Sequence, residues 1–183
     1  MTARARELGM TASVFGNATG WPEPSTVMSP RDLVFLARRL IDAFPEQYAY
    51  FSETEFTWDD ITQRNRNPLL YAEVGADGLK TGHTEEAGFG LVASAVRDGR
   101  RVTFMIGGYP DRGARAAEAQ RIVDWAFREF ENATLFRAGE PLGEAEVWLG
   151  AAPRVGLTVA EDLVATIPFG ARDHLREVMH PED

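Results

Sequence analysis

Hydrophobic positions along the chain follow two rhythms. From Pro30 to Ile41 the apolar residues Leu33, Leu36, Ala37, Leu40 and Ile41 recur at helical spacing and share one face. Ser29 stands where an N-cap belongs, Pro30 at the first helical position and Asp32 near the positive end of the dipole, and Pro45 sets the stop. A second helical pattern runs from Gly113 to Glu131, with Ala116, Ala119, Ile122, Val123, Ala126, Phe127 and Phe130 on its buried side. Between the two lie near-continuous apolar runs, Gly88 to Val96 and Arg101 to Gly108, joined by Arg97-Asp98-Gly99-Arg100. An Asp-Gly pair between β-compatible runs predicts a hairpin, and the unbroken apolar texture predicts a sheet covered on both faces.

Shorter features fill the remainder. Residues 1 to 9 read as the tail of a helix stopped at Gly9, and Met10 to Thr26 is rich in turn formers. The second stretch reads as an ordered loop, because Phe15 and Trp21 call for burial. Phe56-Thr57-Trp58 followed by Asp59-Asp60 predicts a small strand pair around an acidic turn. With no further oxygen ligands at regular spacing, the two aspartates read as a solvated turn and not as a cation site. After Asn132, glycine and proline punctuate short runs such as Glu146-Val147-Trp148-Leu149 and Leu163 to Pro168, a strand-and-turn composition. A domain boundary is therefore expected near Asn132 to Arg137, giving domains 1–133 and 134–183. The closing residues His180-Pro181-Glu182-Asp183 supply no terminal element, so the second domain reads as cut short.

Composition narrows the function classes. The 183 residues, 44% of them apolar, suffice for a packed core in one domain or one and a part. A net charge of −9 repels phosphate backbones and disfavours nucleic acid as a partner. The absence of cysteine excludes disulfides, thiolate catalysis and cysteine-bound zinc. His83, His174 and His180 are scattered, so neither a metal centre nor a cofactor is expected. No signal peptide is legible at the N-terminus, and no run approaches membrane-spanning length.

One residue departs from the chain's habits. Lys80 is the only lysine among eighteen arginines, and it stands in Asp77-Gly78-Leu79-Lys80-Thr81-Gly82-His83-Thr84, on or at the start of a strand leading into the hairpin. Asn65-Arg66-Asn67 precedes this stretch in a polar segment.

Together these residues resemble the low-molecular-mass penicillin-binding proteins that act as serine-type D-alanyl-D-alanine carboxypeptidases. The resemblance covers nearly the whole chain. It rests on Glu7-Leu8-Gly9-Met10, Ser29-Pro30-Arg31-Asp32, Asn65-Arg66-Asn67, the Lys80 stretch, Ala87-Gly88-Phe89, Gly107-Gly108 and Trp125-Ala126-Phe127. It extends through Val147-Trp148-Leu149-Gly150 and Thr166-Ile167-Pro168-Phe169-Gly170. The fold it implies is α+β, an antiparallel sheet flanked by helices in an incomplete β-lactamase/transpeptidase-like domain, followed by the start of a small β-rich domain. The partners it implies are a peptidoglycan stem peptide ending in D-Ala-D-Ala and, for the complete family member, β-lactams. The location it implies is periplasmic or otherwise extracytoplasmic.

The resemblance also implies roles for individual residues. Lys80 places a compact positive charge where anionic character develops, and Thr81 offers its hydroxyl to the substrate carboxylate. Gly82 leaves room for close approach, the His83 N–H is one of two oxyanion donors, and Arg66 recognises the terminal carboxylate. Arg115 matches a recurrent arginine without an evident role.

Two family motifs are absent. Ser13, Ser25, Ser29, Ser52 and Ser94 are the only serines; none has lysine three residues later, and no Ser-x-Asn occurs. The chain is expected to be inactive alone, as part of a longer carboxypeptidase or as a non-catalytic remnant that binds peptidoglycan peptides. Without the helical lobe it should also expose apolar surface and self-associate.

Overall fold

The Ser29 hydroxyl accepts from the Asp32 N–H at 3.1 Å and starts the first long helix, as the capping pattern predicts. The structure, a computed structural model, describes residues 1–174. It forms two compact units, residues 1–124 and the chain from Trp125 onward. The division falls inside a helix, upstream of the 133/134 boundary expected from composition. The closing His180-Pro181-Glu182-Asp183 stretch lies outside the described residues.

The first unit opens with helix α1 (Thr2–Glu7), α2 (Pro30–Ala43) and the short α3 (Pro45–Tyr48). A hairpin follows, β1 (Glu55–Trp58) with β2 (Ile61–Arg64), and then a three-stranded antiparallel sheet of β3 (Ala76–Thr84), β4 (Gly88–Arg97) and β5 (Arg100–Tyr109). Helix α4 (Arg112–Glu129) carries the chain into the second unit. Both predicted hairpin turns form, with Asp59 and Asp60 and then Asp98 and Gly99 in the left-handed region that two-residue turns between twisted strands require. The β4–β5 register, Arg97 opposite Arg100, places Asp98-Gly99 at its tip.

The core of the first unit joins α2 to the sheet. Ala37, Tyr48 and Leu79 are buried together, with Leu40, Ile41, Phe51 and Val92 packed around them. Burying a leucine-sized side chain such as Leu79 contributes about 1.5–3 kcal/mol, so this cluster supports β3 from beneath. Asp32 is buried as well and takes hydrogen bonds from the Ala12 N–H and the Ser13 hydroxyl, fastening the N-terminal loop to the start of α2.

In the second unit β6 (Phe130–Phe136) pairs with β9 (Leu163–Pro168), and β7 (Pro141–Glu146) with β8 (Arg154–Thr158), all antiparallel. Leu163 to Pro168 is thus a strand, as its composition suggests. Val147 still donates across to the Pro153 carbonyl, but Trp148 and Leu149 leave the sheet: Leu149 has positive φ, and both are exposed. No helix among the described residues is long and apolar enough to cross a membrane.

Candidate functional site

Strand β3 lies at one end of the sheet order β3-β4-β5, so one of its long edges is unpaired within the sheet. An open antiparallel edge presents backbone donors and acceptors at every second residue. Leu79 is buried in the α2 cluster, while Lys80, next along, is exposed. Side chains alternate along a strand, so Lys80 and Gly82 share one face. The Lys80 ammonium donates to the carbonyl of Thr81. A Cβ added at Gly82 would meet nothing within 4 Å, so the space over this residue is open. His83 sits across from Phe89 on β4 and stacks on it, with ring centroids 3.9 Å apart.

The segment before β3 is pinned to it. Asn67, 1% exposed, donates from Nδ2 to the Gly78 carbonyl at 2.8 Å, and its Oδ1 accepts from the Leu69 N–H at 3.1 Å. Asn65 Oδ1 accepts from the Asn67 N–H, and Asn65 Nδ2 donates back to the Glu53 carbonyl. Arg66, between these two asparagines, has an exposed side chain. Its carbonyl accepts from Arg115 Nη2 at 3.4 Å, and Arg115 Nη1 donates to the Gly90 carbonyl at 3.5 Å. Gly90 is the cross-strand partner of Gly82. Burial, and then the like charge of Arg112, lower the pKa of Arg115.

Beneath the start of β3 lies a polar network that the sequence reading did not anticipate. The Tyr48 hydroxyl donates to Asp77 Oδ1 at 2.9 Å, and Arg101 Nη1 reaches Asp77 Oδ2 at 2.7 Å. Arg101 Nη1 also donates to the fully buried Ser94 hydroxyl, opposite Gly78. Burial is the largest cause that pushes the Tyr48 pKa up to about 12, and Asp77 adds to it. Gly78 has to be glycine here, because a Cβ would stand 2.5 Å from the Tyr48 hydroxyl oxygen.

Beyond Gly82 a groove of about 610 Å³ opens between β3 and the loop after α1. Its walls include Gly82, His83, Trp21, Pro22, Met28 and Met105, but not Lys80, Thr81 or Arg66. Trp21 is 77% exposed, contrary to the expectation that it would be buried to order its loop. The order comes from Asn17, whose side chain bonds the Trp21 carbonyl and the Gly20 N–H, so the loop holds its shape with the indole outside. A tryptophan between glycine and proline in a turn-rich stretch was the available signal for an exposed aromatic wall.

The five serines are all engaged in hydrogen bonds: Ser13 with Asp32, Ser25 with Glu23, Ser29 at the α2 cap, Ser52 with the Ala49 carbonyl and Ser94 with Arg101. The described residues contain no cluster of three or more metal-ligating side chains.

The Lys-Thr-Gly stretch thus lies on an edge strand of a helix-flanked antiparallel sheet, with the Arg66 segment fastened beside it. Residues 1–108 match the model of the D-alanyl-D-alanine carboxypeptidase family, and the chain belongs to that family. D-alanyl-D-alanine carboxypeptidase DacA of Escherichia coli strain K12 is 35% identical over 178 residues, covering 96% of this chain and 44% of the relative. The crystal structure of penicillin binding protein 5 from Haemophilus influenzae matches with a TM-score of 0.82 and 33% identity, covering 94% of this chain and 51% of that one. Penicillin-binding protein D2 from Listeria monocytogenes, in its ampicillin-bound form, matches with a TM-score of 0.64 and 31% identity, over 69% of this chain and 54% of that one. The mixed α/β architecture with antiparallel sheets and flanking helices is the one these proteins share. The chain spans about half the length of these relatives.

Proposed function

We propose that this chain supplies the substrate-recognition wall of a serine-type D-alanyl-D-alanine carboxypeptidase, which trims the terminal D-alanine of peptidoglycan stem peptides through an acyl-serine. The observation that carries this reading is the open edge of β3, with Lys80 exposed, free space over Gly82 and the Arg66 segment tied to the same strand by Asn67. A stem peptide lies along that edge as an added strand, its backbone groups meeting those of β3. Arg66 and the Thr81 hydroxyl hold the terminal carboxylate, a task suited to a planar, permanently charged guanidinium. Lys80 supplies positive potential beside the scissile amide, and the His83 N–H is one of the two donors to the tetrahedral oxyanion.

The chain acts outside the cytoplasm, where such peptides are found, and a β-lactam occupies the same wall once the nucleophile is present. The ampicillin-bound relative supports that part of the reading. The first compact unit belongs to the carboxypeptidase domain, and the strands from β6 onward begin a β-rich second domain. The nucleophile comes from a part of the protein outside this sequence, so the chain by itself binds without cleaving.

A second reading, a non-catalytic peptide-binding module, is favoured by the engagement of every serine in the fold. The DNA upstream separates the two: an open frame encoding Ser-x-x-Lys supports the carboxypeptidase, and an in-frame stop before Met1 supports the module. For both, the direct test is calorimetric titration with an acyl-D-Ala-D-Ala peptide and its C-terminal amide. The free acid should bind more tightly, and Arg66→Ala should remove the difference. Equal affinity of the unaltered chain for acid and amide would end the carboxylate-recognition reading.

A further inference from the structure

Arg115 is 5% exposed, yet its guanidinium faces no carboxylate hydrogen bond or ion pair among the described residues. Its acceptors are two backbone carbonyls at 3.4 and 3.5 Å, and Nε has no hydrogen-bond partner. It sits in the first turn of α4 beside Arg112, where the helix dipole is itself positive. Asp111 caps that turn by accepting from the Ala114 N–H, but its carboxylate is not bonded to Arg115. Burying a cation at such a place costs stability, and an apolar side chain of similar reach would fill the volume at lower cost. The two carbonyls explain what the charge does there. One belongs to Arg66 and the other to Gly90, the cross-strand partner of Gly82.

We propose that Arg115 is a positioning residue: its guanidinium fork bridges the Arg66 carbonyl and the Gly90 carbonyl, and so fixes the Arg66 segment relative to the Lys80-Thr81-Gly82 strand. Asn67 ties the segment to β3 near Gly78, and Arg115 ties it near Gly82 through β4, so the segment is held at two points. Two attachments restrict rotation of the segment as one cannot. The direction in which Arg66 projects is then set before any ligand arrives, which lowers the ordering cost of binding. Lysine cannot reproduce this, since a single ammonium lacks the planar fork that reaches two acceptors at once. The inference rests on the reading of Arg66 as the carboxylate-binding residue, and its test keeps the two apart.

The test compares the full chain with Arg115→Gln, Arg115→Lys, Arg66→Ala and the Arg66→Ala/Arg115→Gln double variant. Hydrogen exchange, which needs no ligand, is read first. In Arg115→Gln, exchange at residues 65–67 and 90–91 should rise several-fold, the size expected from losing two long hydrogen bonds, while residues 77–79 stay as in the unaltered chain. Calorimetry follows with the acyl-D-Ala-D-Ala peptide and its amide. Arg115→Gln should lose most of the acid-over-amide preference, Arg115→Lys should keep part of it, and the double variant should be no weaker than Arg66→Ala alone. Unchanged local exchange overturns the inference, as does an additive loss in the double variant. Should Arg115→Gln not fold, Arg115→Lys carries the same readings, and full retention of local protection there overturns the two-point bridge. A chain that shows no acid preference even unaltered sinks the Arg66 reading, while the exchange result still decides whether Arg115 holds the segment.

Discussion

Asn67 Nδ2 donates to the carbonyl of Gly78 at 2.8 Å, joining the segment that carries Arg66 to the strand that carries Lys80. Both ends of the side chain are used, because Oδ1 also accepts the Leu69 N–H that starts the next turn. Replacing Asn67 by leucine preserves bulk but strands a buried carbonyl and a buried N–H. The expected loss is about 1–3 kcal/mol of unfolding free energy, measured by urea denaturation with the slope unchanged. A loss under about 0.5 kcal/mol would mean that water or a backbone shift satisfies both groups.

Tyr48 gives a pH signature. Its pKa is raised to about 12, against an ordinary value near 10 in the unfolded chain. Between those values the unfolded state releases the proton while the folded state keeps it, so this contribution is fully present below about pH 10 and is lost as pH rises toward about 12. Denaturation measured from pH 8 upward should show a stability decline that Tyr48→Phe lacks. The substitution also removes a donor to Asp77 and should cost about 0.5–1.5 kcal/mol at neutral pH. A normal phenolate titration near pH 10 in the folded chain, followed by ultraviolet absorbance, would refute the burial argument.

Local signals explain how much could be read in advance. The cap at Ser29, the hairpin at Asp98-Gly99 and the acidic turn at Asp59-Asp60 each lie within a few residues, and all three form. Lys80 could be singled out because one lysine among eighteen arginines stands out in composition alone. The Tyr48-Asp77-Arg101 network was not legible, since its members are separated by dozens of positions: the sheet brings Asp77 and Arg101 together, and the packing of α3 against β3 brings Tyr48 to them. Trp21 misled because burial is the usual fate of an indole, and side-chain bonds from Asn17 ordered its loop instead. Arg115 was visible as a residue but not as a contact, because both its acceptors are backbone carbonyls and leave no mark in sequence.

The serines lead to a chemical prediction. Ser13 and Ser94 are buried, and none of the five has the Ser-x-x-Lys context that activates a hydroxyl. Incubation with a fluorescent penicillin should therefore leave no band that survives denaturing electrophoresis. Non-covalent binding to the β3 wall can still displace a peptide ligand, so the covalent and equilibrium readouts should diverge. A denaturation-stable adduct, located by mass spectrometry, would identify a serine nucleophile in this chain and overturn the reading that it binds without cleaving.

The β1–β2 hairpin leads to a prediction about association. Phe56 and Trp58 lie two residues apart on one face, with Ile61 directly across from Trp58, and all three are exposed, Trp58 at 74%. A two-stranded ribbon is marginal in water unless its apolar face is covered. The exposed ring of Phe35 on α2 adds further uncovered apolar surface to the same unit. Sedimentation velocity should therefore show a concentration-dependent species heavier than a monomer. The Trp58→Thr/Ile61→Thr variant keeps strand-compatible residues while removing apolar area, and it should shift the population to monomer with an unchanged circular dichroism spectrum. A single monomeric boundary for the unaltered chain across the micromolar range would show that these side chains drive no self-association.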